Sequence, residues 1–124
     1  MAKKSALRIL IVDDEPLIRW SLAETLQGSG HTTLEAGDGE TALRLVTDGP
    51  LFDLVLLDFR LPDSNDLNLL ATIRRLAPWS AVIMMTAHGT PEVIKGALDL
   101  GVSRVVTKPF EVGDVTEWVR QATA

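Results

Sequence analysis

Residues 7–16 read LRILIVDDEP, so that an apolar run is followed at once by three acidic residues and a proline. A short run rich in branched apolar side chains is typical of a β-strand covered on both faces. Pro16 suits the first position of a helix, and Ile18, Leu22 and Leu26 then repeat at four-residue spacing. The stretch predicts a strand followed by a helix, with carboxylates at the junction.

The same alternation returns along the rest of the chain. Further strands are predicted over residues 32–36, 54–57, 81–85 and 104–107. The second helix is predicted to follow Asp38 and end at Gly49-Pro50, and the third to have Asp66 as its N-cap. The apolar stripes of the third, fourth and fifth helices are predicted to be Leu69, Leu70, Ile73, Leu76 and Ala77; Val93, Ile94, Ala97 and Leu98; and Val112, Val115, Val119 and Ala122.

Five strands alternating with five helices predict an α/β fold of the doubly wound type, a (βα)5 arrangement with helices on both faces of a parallel sheet. The strand over residues 32–36 is more polar than the others and suits a sheet edge. A length of 124 residues is typical of one domain. We therefore expect residues 1–124 to form a single domain, with any effector domain outside this chain.

Composition excludes several classes of function. The formal net charge is -5, and no basic stripe is present, so direct nucleic-acid binding is not expected. The sequence contains no cysteine, which excludes disulfides and thiolate chemistry. No apolar run approaches the roughly 20 residues that span a bilayer, so we expect no membrane association and a cytoplasmic location.

Polar residues follow the predicted strands at the points where each strand ends. They are Asp13 and Asp14 after the first, Asp58 after the third, Thr86 after the fourth and Lys108 after the fifth. Because ligands bind beyond the carboxyl ends of parallel strands, we expect these side chains to share one site. Oxygen ligands of this kind suit Mg²⁺, held by Asp14 and Asp58, by Asp13 through water, and by a backbone carbonyl of the loop after Asp58, which we assign to Arg60.

The chemistry that this set of groups favours is phosphoryl transfer to a carboxylate. Asp58 is placed to attack phosphorus and form an acyl phosphate. Mg²⁺ would screen the repulsion between this nucleophile and an anionic donor. Lys108 would neutralise charge on the transferred group, and the Thr86 hydroxyl would donate a hydrogen bond to one of its oxygens.

These residues resemble the receiver domains of two-component response regulators, of the CheY-like superfamily. The resemblance rests on Asp13-Asp14, on Asp58 with Leu61-Pro62, on Thr86-Ala87 and on Lys108-Pro109-Phe110, and it covers essentially the whole chain. It implies a flavodoxin-like fold with strand order 2-1-3-4-5, a histidine kinase as phosphodonor, Mg²⁺ as cofactor and a cis bond before Pro109. It also implies that the kinase meets the first helix, where Trp20 lies off the apolar stripe and is either exposed or packed at the edge of the helix.

Arg60 and the string Thr86-Ala87-His88-Gly89-Thr90 are similar to the NtrC-type branch, whose members activate transcription through a separate domain. The resemblance thus implies an effector domain or partner protein and possible dimerisation through the fourth helix, fifth strand and fifth helix. It implies a switch that phosphorylates and dephosphorylates itself and is not a turnover enzyme. His88 is either near the phosphoryl group or a solvent-facing loop residue.

The sequence departs from the family pattern at two positions. Val105 stands where receivers commonly have an aromatic residue that rotates with the threonine, and Asp66 stands where they usually have glycine. A rotating-ring switch is therefore not expected here. The alternative function is a receiver-like interaction module that is never phosphorylated. A phosphatase with an aspartyl nucleophile is disfavoured because its nucleophile follows the first strand, and a nucleotide-binding module because no glycine-rich loop does.

Overall fold

The computed structural model describes residues 6–124, in which five β-strands alternate with five α-helices. The strands are β1 (Arg8–Val12), β2 (Thr32–Ala36), β3 (Leu54–Asp58), β4 (Ala81–Thr86) and β5 (Arg104–Thr107). The helices are α1 (Pro16–Gly28), α2 (Gly39–Asp48), α3 (Asn68–Leu76), α4 (Pro91–Asp99) and α5 (Val115–Ala122). The predicted order of elements is confirmed.

All five strands belong to one parallel sheet in the order β2-β1-β3-β4-β5. The more polar β2 lies at one edge, as its sequence predicts, and β5 lies at the other. Central β3 is buried along its whole length. The register places Val12 opposite Leu57, and Asp58 opposite Met85, so the carboxyl ends of the three central strands lie side by side.

Alternate side chains of each central strand enter two separate cores. Leu10, Val55, Leu57, Val82 and Met84 pack on one face, together with apolar residues of α2, α3 and α4. The intervening residues of the same strands, such as Ile9, Leu56 and Met85, pack on the other face against α1 and α5. The sheet is therefore covered by helices on both faces, which confirms the doubly wound architecture.

The helix starts follow the sequence signals except in α3 and α5. Asp38 caps α2, its carboxylate accepting a hydrogen bond from the Thr41 amide at 2.7 Å. The N-cap of α3 is Leu67, so the assignment of Asp66 to this position was wrong by one residue. Asp66 still accepts a hydrogen bond from the Asn68 amide at 2.9 Å. Its carboxylate thus satisfies the first free amide of the helix, although Asp66 lies one residue before the N-cap.

Two stripe residues are less buried than their spacing predicts. Leu76 is 39% exposed at the end of α3, and Leu98 is 50% exposed on α4. Val112 lies in a 3₁₀ turn, Val112–Asp114, that precedes α5 and is not part of the helix itself. Between residues 6 and 124 no helix has the length and apolar character needed to cross a membrane.

Candidate functional site

The predicted site residues meet at the carboxyl edge of the sheet. Asp13 directly follows β1, and Asp58 and Thr86 are the last residues of β3 and β4. Lys108 directly follows β5. Since β1, β3, β4 and β5 are consecutive neighbours in the sheet, their ends present these four groups along a single edge. A parallel sheet thus gathers residues that are far apart in the chain.

Lys108 ties the two buried carboxylates together. Its ammonium Nζ donates to Asp13 Oδ2 at 2.8 Å and to Asp58 Oδ2 at 3.2 Å. Its side chain is only 11% exposed, and those of Asp13 and Asp58 are 0% and 6% exposed. The ammonium is therefore held in place between two carboxylates, in a region where charges interact more strongly than in open solvent.

Three carboxylates form a compact acidic cluster in the same place. Asp13, Asp14 and Asp58 each offer an oxygen, and these oxygens all lie within 4.8 Å of one another. Asp13 and Asp58 are buried, whereas Asp14 is exposed and leaves the cluster open to solvent. Hard carboxylate oxygens in a site with solvent access fit Mg²⁺, which keeps several of its waters when bound.

The charge state of the cluster is set by opposing effects. Burial, followed by the negative charge of Asp13, raises the pKa of Asp58 to about 6, although Lys108 and the Arg60 amide act in the opposite direction. Burial alone would lower the pKa of Lys108, but its hydrogen bond to Asp13 and the charges of Asp58 and Asp13 outweigh this effect and raise it. Lys108 is therefore a fixed cation at neutral pH.

Arg60 and Thr86 lie beside this cluster. The Arg60 amide donates to Asp58 Oδ1 at 3.4 Å, which places its main chain next to the carboxylate while its side chain is exposed. Thr86 is 1% exposed, and its hydroxyl oxygen accepts a hydrogen bond from the His88 amide at 3.2 Å. The Lys108 amide in turn donates to the Thr86 carbonyl at 2.8 Å. Thr86 and Lys108 thus lie on directly bonded segments.

Two positions that the sequence singles out, His88 and Val105, differ in burial. The His88 side chain is exposed. Val105 is half-buried and packs against the core that faces α2, α3 and α4. The Lys108-Pro109 peptide bond is cis, as the family resemblance implies.

Sequence reasoning assigned no role to three residues that contact the site or its loops. The Glu15 carboxylate lies 3.4 Å from Lys108 Nζ. Arg19 donates to the Asp13 carbonyl at 2.7 Å. Asp63, in the loop after β3, accepts hydrogen bonds from the first amides of α2. Of the three, only Glu15 carried a sequence signal, since it adjoins the acidic pair.

Comparison with known proteins gives one consistent result. A family model described as the response regulator receiver domain matches residues 9–120. The transcriptional regulatory protein TcrA of Mycobacterium tuberculosis is 38% identical over 111 residues, which cover 90% of this chain and 44% of that protein. Sporulation initiation phosphotransferase F of Bacillus subtilis is 35% identical, and the match covers 92% of this chain and 91% of that protein.

Solved structures agree with the sequence matches. The crystal structure of NtrX from Brucella abortus superposes with a TM-score of 0.85 and 34% identity, over 95% of this chain and 27% of that one. The chain therefore matches the phosphotransferase along nearly its whole length, but spans less than half the length of TcrA and NtrX.

Proposed function

Because this chain belongs to the family of response regulator receiver domains, we propose that Asp58 accepts a phosphoryl group from a histidine kinase and that this changes the conformation of the domain. The observation that carries the proposal is the position of Lys108, whose ammonium lies 3.2 Å from Asp58 and 2.8 Å from Asp13. A buried carboxylate beside a fixed cation and two further carboxylates suits metal-assisted attack on an anionic phosphoryl donor.

Mg²⁺ is the cofactor that fits the acidic cluster. We assign its binding to the carboxylates of Asp14 and Asp58, to Asp13 through water and to the backbone carbonyl of Arg60. When bound, the ion supplies charge that offsets the repulsion between carboxylate and phosphoryl donor. The exposed side of the cluster at Asp14 leaves a path for both the ion and the donor.

Each of the remaining groups has a task in the transfer. A carboxylate oxygen of Asp58 forms a bond to phosphorus while the phosphorus–nitrogen bond of the donor histidine breaks. Lys108 stabilises negative charge on the transferred oxygens, and Thr86 donates its hydroxyl hydrogen to one of them. Attack of water on phosphorus later breaks the acyl phosphate, releases inorganic phosphate and restores the carboxylate. Slow hydrolysis makes the domain a switch and not a turnover enzyme.

The output would arise from differential interaction of the phosphoryl group with two conformations. Thr86 and Lys108 adjoin the loops before α4 and α5, so these helices would respond first.

Leu17 and Trp20 are 73% and 58% exposed on α1, which suits contact with the kinase. We assign the α4, β5 and α5 face to a homodimer, an effector domain or a partner protein, and control of transcription of the NtrC type to the full regulator.

Mass spectrometry of the intact protein tests the central step. Incubation with acetyl phosphate and Mg²⁺ is expected to add the mass of one phosphoryl group, and peptide mapping is expected to place it on Asp58. The Asp58→Asn variant should remain unmodified, whereas Asp48→Asn, a matched change at an exposed position, should be modified normally. A wild-type protein that gains no mass would favour the alternative of an interaction module that works without phosphorylation.

A further inference from the structure

Asp63 belongs to the loop that carries the phosphoacceptor, yet its carboxylate bonds to a different element. Its Oδ1 accepts a hydrogen bond from the Gly39 amide at 2.7 Å, and its Oδ2 accepts one from the Glu40 amide at 3.0 Å. Both carboxylate oxygens of Asp63 therefore accept hydrogen bonds from amides in the first turn of α2. From this geometry we infer that Asp63 is a positioning residue for the metal ligands of the β3–α3 loop, an inference that rests on the proposed function.

The N-terminus of α2 is built to receive this carboxylate. Four amides at the start of a helix have no partner within the helix. Here Asp63 takes those of Gly39 and Glu40, and the Asp38 side chain takes that of Thr41, so three of the four have partners. The helix dipole also favours a negative charge at this end. The start of α2 is thus completed by a residue 24 positions away in the chain.

Close approach of the two segments depends on Gly39. A Cβ atom at this position would lie 3.1 Å from Asp63 Oδ1 and 3.2 Å from Leu69 Cδ2. The missing side chain therefore leaves the space in which the carboxylate reaches the backbone.

A tight turn connects Asp63 to the acidic cluster. Leu61 and Ser64 bond to each other in both directions, with amide-to-carbonyl distances of 2.7 and 3.2 Å, so Pro62 and Asp63 form the tip of the turn. Arg60 immediately precedes this turn, and its amide bonds to Asp58 at 3.4 Å. Fastening the tip to α2 therefore restricts the main chain of Arg60, whose carbonyl is the proposed metal ligand.

A ligand that is held in place before the ion arrives binds with less loss of conformational freedom. Partners that orient metal ligands typically change metal affinity by 10–100-fold when they are removed. For Asp63→Ala we expect Mg²⁺ to bind roughly tenfold more weakly, at the lower end of this range because the turn retains its Leu61 and Ser64 bonds. Asp63→Asn keeps one acceptor oxygen, and we expect an intermediate affinity.

NMR titration of the full chain with Mg²⁺ measures this affinity from the amide shifts of the β3–α3 loop. Hydrogen exchange at the Gly39 and Glu40 amides, recorded without metal, reports whether the bonds to Asp63 are lost. The matched control is Asp66→Ala, which removes a carboxylate from the same loop that bonds locally, to Asn68. We expect faster exchange and weaker binding in Asp63→Ala, and binding within twofold of the unsubstituted protein in Asp66→Ala.

Three outcomes would contradict the inference, and they are distinguishable. If Asp63→Ala exposes the Gly39 and Glu40 amides but binds Mg²⁺ as tightly as the unsubstituted protein, Asp63 does not position the metal ligands, and the proposed function stands. If Asp66→Ala weakens binding as much as Asp63→Ala, loss of negative charge explains both and the positioning role is overturned. If the unsubstituted protein itself binds no Mg²⁺, the metal-dependent function fails together with the inference.

Discussion

Asp58 sits in surroundings that disfavour its ionised form in the metal-free protein. Burial and the neighbouring Asp13 outweigh the favourable contact with Lys108, so the pKa of Asp58 is raised to about 6. The same carboxylate must be ionised to act as a nucleophile. The metal-free protein is therefore less stable at neutral pH because of the residue that we propose as the nucleophile.

This cost predicts a pH-dependent gain in stability for Asp58→Asn. The pKa of Asp58 is higher in the folded chain than in the unfolded chain, so the folded state binds more protons between pH 4 and 6 and the free energy of unfolding of the wild type falls across this window. The rise of the Asp58 pKa from 3.8 to about 6 limits the effect to roughly 3 kcal/mol. Above pH 7, in EDTA, the variant should be the more stable protein.

Urea unfolding of both proteins at pH 4 and pH 7.5 measures the difference. It should be small at the lower pH and grow at the higher one. Asp99→Asn serves as the control, because that carboxylate is exposed and pairs with Lys95 on the surface of α4. A stability difference between Asp58→Asn and wild type that stays constant with pH would show that the Asp58 carboxylate is not destabilised by its surroundings.

Helix α4 has a capped N-terminus, but few of its apolar side chains are buried in the core. Ala97 is its buried residue, Val93 and Ile94 are half-buried, and Leu98 is half exposed. Thr90 caps the helix, its hydroxyl oxygen accepting a hydrogen bond from the Val93 amide at 3.2 Å. Little apolar burial holds the helix in place, so the shift that the proposed switch requires would cost little free energy.

The cap should therefore contribute measurably to the stability of α4. Thr90→Ala removes the acceptor for the Val93 amide, and we expect the free energy of unfolding to fall by about 1 kcal/mol. Amide exchange in the first turn of α4 should also become faster. Thr90→Ser retains the hydroxyl and is the matched variant, for which both quantities should stay near those of wild type. If Thr90→Ala and Thr90→Ser lower the free energy of unfolding equally, the loss comes from the missing methyl group and not from the missing cap.

Taken as a whole, the molecule stabilises its sheet from both faces and concentrates unfavourable charge at one edge. Two cores cover the central strands, whereas the carboxylates of Asp13, Asp14 and Asp58 converge beyond their ends. A divalent cation bound there would join the loops after β1 and β3 and remove the repulsion between them. Binding of Mg²⁺ at the proposed site would therefore be coupled to the stability of the entire domain.

Addition of Mg²⁺ should raise the melting temperature. At a concentration of about 100 times Kd, binding to the folded state alone adds about 2.7 kcal/mol, a shift on the order of 10 °C for a domain of this size. Differential scanning calorimetry in Mg²⁺ and in EDTA, at matched ionic strength, measures the shift. The Asp14→Asn variant alters an exposed residue that we propose as a metal ligand, and it should lose most of this rise in melting temperature. An unchanged melting temperature at saturating Mg²⁺ would contradict a preformed acidic site.

Much of the site could be predicted because it follows from strand ends. Apolar runs mark where β1, β3, β4 and β5 finish, and a parallel sheet brings those ends together whatever the intervening helices contain. Asp13, Asp58, Thr86 and Lys108 were found by this reasoning alone, and the polar composition of β2 also predicted its place at the edge. Their chemical roles remain proposals, since position alone does not show reactivity.

Other features were decided only in the tertiary structure. The spacing of Leu76 and Leu98 predicted buried stripes, but helical periodicity does not say how far a neighbouring element extends over them. The bonds from Asp63 to the start of α2, and from Lys108 to an aspartate 95 positions away, depend on how two distant segments approach. The one-dimensional pattern therefore determined which groups share an edge, whereas packing in three dimensions determined which of them touch, because a hydrogen bond requires a separation that residue order does not specify.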